Sequence, residues 1–143
     1  MKLKEIAHRD VATITPESTL LEAARKMRAC DVGSLPVCHG DRLYGIVTDR
    51  DLTLRGTAEG RDPRAARVRD VMTFEVLTCL ETLEVRDAMA LMLHHPARRV
   101  VVVDEQKKPV GVISLRDLAL VPGCEGFAGE IYAALAHQTA GRH

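Results

Sequence analysis

Gly45-Ile46-Val47-Thr48-Asp49-Arg50-Asp51-Leu52 returns as Gly111-Val112-Ile113-Ser114-Leu115-Arg116-Asp117-Leu118: a glycine, two aliphatics, a hydroxyl residue, one variable position, then Arg-Asp-Leu. Working outward, Thr13, Ala23 and Met27 recur as Thr78, Ala88 and Met92 at a constant offset of 65 residues. Leu3, Ile6 and Val11 are answered in the same register by Val68, Val71 and Val76. At Gly111 the offset has grown to 66, which places one inserted residue in the second copy around Glu105 to Lys108. Two copies of one supersecondary unit, each too short to bury its own apolar face, are expected to pack together about a pseudo-twofold axis. Function is then expected where the copies meet.

Within each copy the periodicity changes in a fixed order. Val11 to Thr15 reads as a short strand closed by Pro16, and Thr19 with Glu22 as a capping box opening a helix. Leu20, Ala23, Ala24 and Met27 form one apolar stripe before Asp31-Val32-Gly33 ends the helix. Leu35 to Cys38 and Leu43 to Val47 read as two strands around the turn His39-Gly40-Asp41-Arg42, and Thr48 starts a second helix running to about Arg55. The second copy predicts a strand over Val76 to Leu80, a helix over Leu83 to Leu93, strands over Arg99 to Val103 and Pro109 to Ile113, and a helix from Ser114. The expected fold is therefore α/β (α+β), two β-α-β-β-α motifs at 3–55 and 68–121, with a linker at 56–67 and a tail with a short helix at 122–143.

With 143 residues, 46% hydrophobic and 28% charged, the chain has the makings of one ordinary globular domain. Its 20 basic residues balance 20 acidic ones, against a protein built to coat nucleic acid or an anionic membrane. No run reaches the roughly 18 apolar residues of a membrane span, and Met1-Lys2-Leu3-Lys4-Glu5 lacks a signal peptide's apolar segment, so a soluble cytoplasmic protein is expected. Cys30, Cys38, Cys79 and Cys124 make no CxxC pair and read as buried small hydrophobes in a reducing compartment. Arg61, Arg64 and Arg67 of the linker, with Arg69 just beyond it, read as a solvated charged segment, with a phosphate-attracting rim as the alternative. Phe127 to Ala136 is a helix expected to fold back on its own domain or to join a dimer interface.

The motif order, the Gly33-Ser34-Leu35-Pro36-Val37 strand entry, the Gly-aliphatic-aliphatic-Thr/Ser-x-x-Asp ending and the Asp70-Val71-Met72-Thr73 opening together resemble the cystathionine-β-synthase (CBS) domain family. Two such motifs in tandem constitute a Bateman module; the resemblance covers about residues 3 to 118 and is similar to that of stand-alone bacterial CBS pairs. It implies a sensory module that binds AMP, ADP, ATP, NAD or S-adenosylmethionine in clefts between its motifs, with AMP or ATP foremost. Carried over residue by residue, it implies Asp51 and Asp117 on ribose and Thr48 and Ser114 near ribose or phosphate. The base walls would be Ser34, Leu35 and Pro36 in the first copy and Arg99, Val100 and Val101 in the second. It also implies a homodimer formed through helices, with the stripes around Met27 and Met92 as candidate contacts or as core.

An ionised carboxylate accepts hydrogen bonds from both hydroxyls of a cis-diol, and a hydroxyl at a helix start lies where unpaired N–H groups favour phosphate. Thr48-x-x-Asp51 and Ser114-x-x-Asp117 are equally what a capped helix start requires with no ligand, a cap contributing about 1 kcal/mol. Recurrence at matched positions favours a ligand role at one site at least. Arg98 and Arg99, standing in register with Ser34 and its neighbours, suit polyphosphate oxygens or else face solvent or pair with Asp104 or Glu105. Arg50 and Arg116 read as exposed helix residues. Cys38-His39 and His94-His95 raise zinc without matching a zinc spacing. No nucleophile elbow, HExxH, P-loop or dinucleotide fingerprint occurs, so a non-enzymatic binding module is expected, with an unidentified regulated protein as its listener. The rival from another class is a structural or protein-interaction module with vestigial clefts.

Overall fold

The computed structural model describes residues 1–7, 11–95 and 97–140, so the last three residues of the expected tail lie outside it. The chain divides into two compact units, one formed by Val11–Val76 and the other by the described residues of Met1–Asp10 and Leu77–His143. These units are offset from the sequence repeats. The lead-in of each repeat is packed in the unit that carries the body of the other.

In Val11–Val76, helix α1 (Leu20–Cys30) precedes a hairpin of β1 (Ser34–His39) and β2 (Arg42–Thr48). The short helix α2 (Asp49–Asp51) runs directly into a π-helical turn, Leu52–Thr57, and α3 (Val68–Val71) closes the unit. The capping box at Thr19 and Glu22 forms as expected, and Asp31 ends α1 in the left-handed conformation at φ 53°. Leu20, Ala23 and Met27 enter a core with Leu35, Val37, Val47, Val68 and Val71. Ala24, expected in the same stripe, is exposed: only one side of the helix meets the hairpin and α3.

The strand expected over Val11 to Thr15 shrinks to a single parallel bridge between Ile14 and Val37. Ile14 N–H donates to Pro36 O (3.0 Å) and its carbonyl accepts from Cys38 N–H (2.8 Å). Beyond it Pro16 has no N–H to give, and on the other side the Thr13 carbonyl accepts from the Lys26 ammonium. The expected linker is likewise not free chain. Leu20 and Leu21 N–H groups donate to Ala66 and Pro63 carbonyls, while Arg67 and Arg69 pair with Glu17, so those two arginines serve the unit's own surface.

The other unit contains β3 (Thr78–Leu80), α4 (Val85–His94), β4 (Arg99–Val103), β5 (Pro109–Ser114), α5 (Leu115–Ala119) and α6 (Glu125–Ala140). Its sheet order is β3-β4-β5, with β3 parallel and β5 antiparallel to β4. The inserted residue is taken up between β4 and β5. There Asp104 accepts from the Gln106 and Lys108 N–H groups at 2.9 Å, and Lys107 turns the chain at φ 65°. Val85, Ala88, Met89 and Met92 of α4 share a core with Val100, Val102, Ile113, Ala128 and Ile131, which brings the tail helix back onto its own unit. Met27 and Met92, 6% and 0% exposed, are committed to the cores of their own units and leave no surface for a dimer contact.

Of the cysteines, Cys38 and Cys79 are buried as expected, whereas Cys30 is exposed and Cys124 half-buried. Burial pushes both buried thiols above the ordinary value, with the nearby Asp41 carboxylate adding to the effect at Cys38. Among the described residues no helix is long and apolar enough to cross a membrane.

Candidate functional site

The repeated phrase places the same atoms twice. Thr48 ends β2 in extended conformation and caps the helix after it: its hydroxyl accepts from Asp51 N–H, and Asp51 Oδ2 accepts from Thr48 N–H, both at 3.0 Å. Ser114 and Asp117 repeat this at 3.1 and 2.8 Å. The hairpin ends are tied alike, Asp49 N–H to Gly33 O and Leu115 N–H to Arg98 O. Capping is therefore realised at both copies. At Asp51 it uses Oδ2 and leaves Oδ1 outside the cap.

The strand register brings the expected wall residues to these caps. Ser34 is the cross-strand partner of Thr48, and Arg99 that of Ser114. Partners on one face stand roughly 5 Å apart at Cβ. Leu35 and Val100, proposed from sequence as wall residues, have their side chains in the cores of their units at 0% and 1% exposure, so only their main chain can meet a ligand. By strand alternation Ser34 and Pro36, and Arg99 and Val101, stand on the opposite face, where Pro36 and Val101 are also buried and Ser34 and Arg99 half-buried. Arg98 is exposed and Arg99 half-buried, and among the described residues neither pairs with Asp104, Glu105 or any other carboxylate. Arg50 and Arg116 are exposed.

The copies differ in how their carboxylates are satisfied. Asp51, 9% exposed, is the one buried charged side chain among the described residues. Its partners are all neutral: Thr48 N–H and the Thr73 hydroxyl, which lies 3.4 Å from each carboxylate oxygen. Thr73 was visible in sequence only as part of an opening motif; its place beside Asp51 follows from an antiparallel bridge between Ile46 and Thr73. Asp117 is half-buried, and its Oδ2 also accepts from the Ser114 hydroxyl at 2.9 Å. The Thr48 hydroxyl, by contrast, donates to no described residue.

The matching sequence pattern spans most of the chain: the CBS domain family matches residues 3–55 and 68–122. The chain belongs to the CBS domain family. A CBS domain-containing protein of Bacillus subtilis, YhcV, is 38% identical over 136 residues, covering 95% of this chain and 96% of that protein. Among solved structures, hypoxic response protein I with two coordinated zinc ions has a TM-score of 0.72 at 32% identity, over 83% of this chain and 97% of that one. The CBS domain protein PAE2072 of Pyrobaculum aerophilum, complexed with AMP, has a TM-score of 0.76 at 26% identity, over 90% of this chain and 98% of that one. In this CBS pair no group of three or more His, Cys, Asp or Glu side chains able to hold a metal occurs among the described residues. Cys38-His39 and His94-His95 fall in different units, and the raised Cys38 pKa opposes the thiolate that zinc or redox chemistry requires.

Proposed function

We propose that this CBS pair is a non-enzymatic regulatory module that binds an adenosine-containing nucleotide, AMP or ATP foremost, with Asp51 and Asp117 accepting from ribose hydroxyls. The single observation that carries the reading is the Asp51 carboxylate. It is buried, has no cation among the described residues, and receives one firm hydrogen bond and one long shared one. A carboxylate offers about four acceptor positions. Burial of such a group is costly unless further donors complete it, and a vicinal diol supplies two at the right spacing.

Thr48 adds a hydroxyl proton beside the same carboxylate, and Ser34 and Pro36 border it through the strand register. At the second site Arg98 and Arg99 supply guanidinium groups for phosphate oxygens. The AMP bound to PAE2072 is consistent with this ligand class. Regulation then follows from a difference in affinity between conformations of the pair, transmitted to a partner protein; the module itself acts as a homodimer. At Asp117 the Ser114 hydroxyl closes onto the carboxylate, which predicts a weaker second site.

A thermal-shift series with AMP, ADP, ATP, NAD and S-adenosylmethionine tests the reading, because a ligand specific for the folded state stabilises it by RT ln(1 + [L]/Kd). A rise with at least one of them, abolished by Asp51→Ala, is the expected result. No rise at millimolar concentration would return the chain to a structural or protein-interaction module.

A further inference from the structure

The repeat phrase contains Asp51 and Thr48 but not every group that touches the Asp51 carboxylate. The segment Val71 to Thr73 runs alongside it with three successive carbonyls pinned. Arg55 Nη1, from the π-helical turn, donates to Val71 O at 3.2 Å and to Met72 O at 3.1 Å. Ile46 N–H donates to Thr73 O at 2.9 Å, and Thr73 N–H returns a bond to Ile46 O at 2.8 Å. The close approach depends on Gly45, where a Cβ would stand 2.2 Å from Thr73 O. A backbone held this firmly fixes the point from which the β-branched Thr73 side chain extends.

Its hydroxyl is equidistant, at 3.4 Å, from Oδ1 and Oδ2 of Asp51. That length is at the outer limit of an O–H···O bond, so the contact is a weak anchor. As a restraint it is well placed. Thr48 N–H holds Oδ2 at 3.0 Å, and the Thr73 hydroxyl reaches both oxygens, so the carboxylate is tied by two groups rather than one.

Resting on the nucleotide reading above, we infer that Thr73 is a positioning residue for ribose recognition: its hydroxyl orients the Asp51 carboxylate so that both oxygens face a vicinal diol. The lead-in of the second repeat thereby completes the site of the first. Thr73 needs no contact with the nucleotide in this role. It acts through Asp51, and its loss weakens ligands that use the diol more than ligands that lack it.

Isothermal titration of AMP and 2′-deoxy-AMP into the wild-type chain, Asp51→Asn, Thr73→Val and Thr73→Ser is the test. Expected are a roughly tenfold loss of AMP affinity in Thr73→Val, little change for 2′-deoxy-AMP, and recovery of the ribose preference in Thr73→Ser. Thr73→Ala serves in place of Thr73→Val if the valine variant does not fold. Wild-type affinity and ribose preference in Thr73→Val, with binding still lost in Asp51→Asn, would overturn the role of Thr73 and leave the nucleotide reading intact. Loss in both Thr73→Val and Thr73→Ser would likewise remove the hydroxyl from the account. If the wild-type chain binds neither nucleotide, or Asp51→Asn binds AMP unchanged, the nucleotide reading at Asp51 and this inference fall together.

Discussion

Asp51 and Thr73 are 22 residues apart in the chain and 3.4 Å apart at the carboxylate and hydroxyl. Strand β2 and the segment after α3 create this proximity through one antiparallel bridge, Ile46 to Thr73, within the unit Val11–Val76. At Asp51 the repeat phrase is thus finished by a residue that lies outside it.

The two carboxylates are expected to separate functionally. Asp51→Ala should abolish the tighter nucleotide-binding event and cost little more than one lost cap, about 1 kcal/mol. Asp117→Ala should cost similar stability while leaving that event in place. Calorimetric titration alongside thermal denaturation reads both quantities, and equal loss of binding in the two variants would contradict the asymmetry.

Gly45→Ala should be among the most destabilising single-methyl additions in the chain. The new Cβ would meet Thr73 O at 2.2 Å and Met72 Cε at 2.9 Å, and a strand-paired carbonyl cannot swing aside. Overpacking of this kind costs about 1–3 kcal/mol. Gly129→Ala, on α6 with nothing within 4 Å of the added atom, should raise stability by about 0.5–1 kcal/mol through helix propensity. Melting temperatures moving in opposite directions would confirm the pair.

Removing the hydroxyl at the caps should separate structural from ligand chemistry. Ser114→Ala deletes an acceptor for Asp117 N–H and a donor to Asp117 Oδ2, and Thr48→Val deletes an acceptor for Asp51 N–H. Each should lower stability by about 1 kcal/mol. Only Thr48→Val should also weaken nucleotide binding, since its hydroxyl proton is uncommitted among the described residues. Denaturant midpoints measured with and without AMP distinguish the outcomes.

The cysteines should divide by burial. A thiol reagent at pH 8 should label Cys30 rapidly, Cys124 more slowly, and Cys38 and Cys79 only as the fold opens. Burial raises the pKa of the last two above the ordinary 9.0, so above that pH the unfolded chain releases protons that the folded chain keeps. Stability should therefore fall as pH rises beyond about 9, and replacing Cys79 by Ala should lessen that slope. Mass spectrometry of labelled chain and pH-dependent denaturation test the two statements.

Much of the architecture was legible because it is written in local pattern. The capping box at Thr19, the stripe of Leu20, Ala23 and Met27, and strand β4 from Arg99 to Val103 follow from period and end signals. The single extra residue between β4 and β5 could be counted from the repeat offset. Val11 to Thr15 misled because its alternation resembles a strand. Pro16 and the Lys26 contact with the Thr13 carbonyl leave only one bridge there, and neither limit is carried by hydrophobic pattern.

Sequence by itself determined the duplicated unit, its family, and the two capped Asp motifs, since repetition and spacing are properties of the chain alone. Only the tertiary structure decided that residues 68–76 pack with the first copy's body, that Leu35 and Val100 turn into their cores, and that Asp51 is buried beside Thr73 while Ser114 closes on Asp117. Those outcomes depend on which face of a strand a neighbour covers and on contacts between residues distant in sequence. No local pattern encodes them.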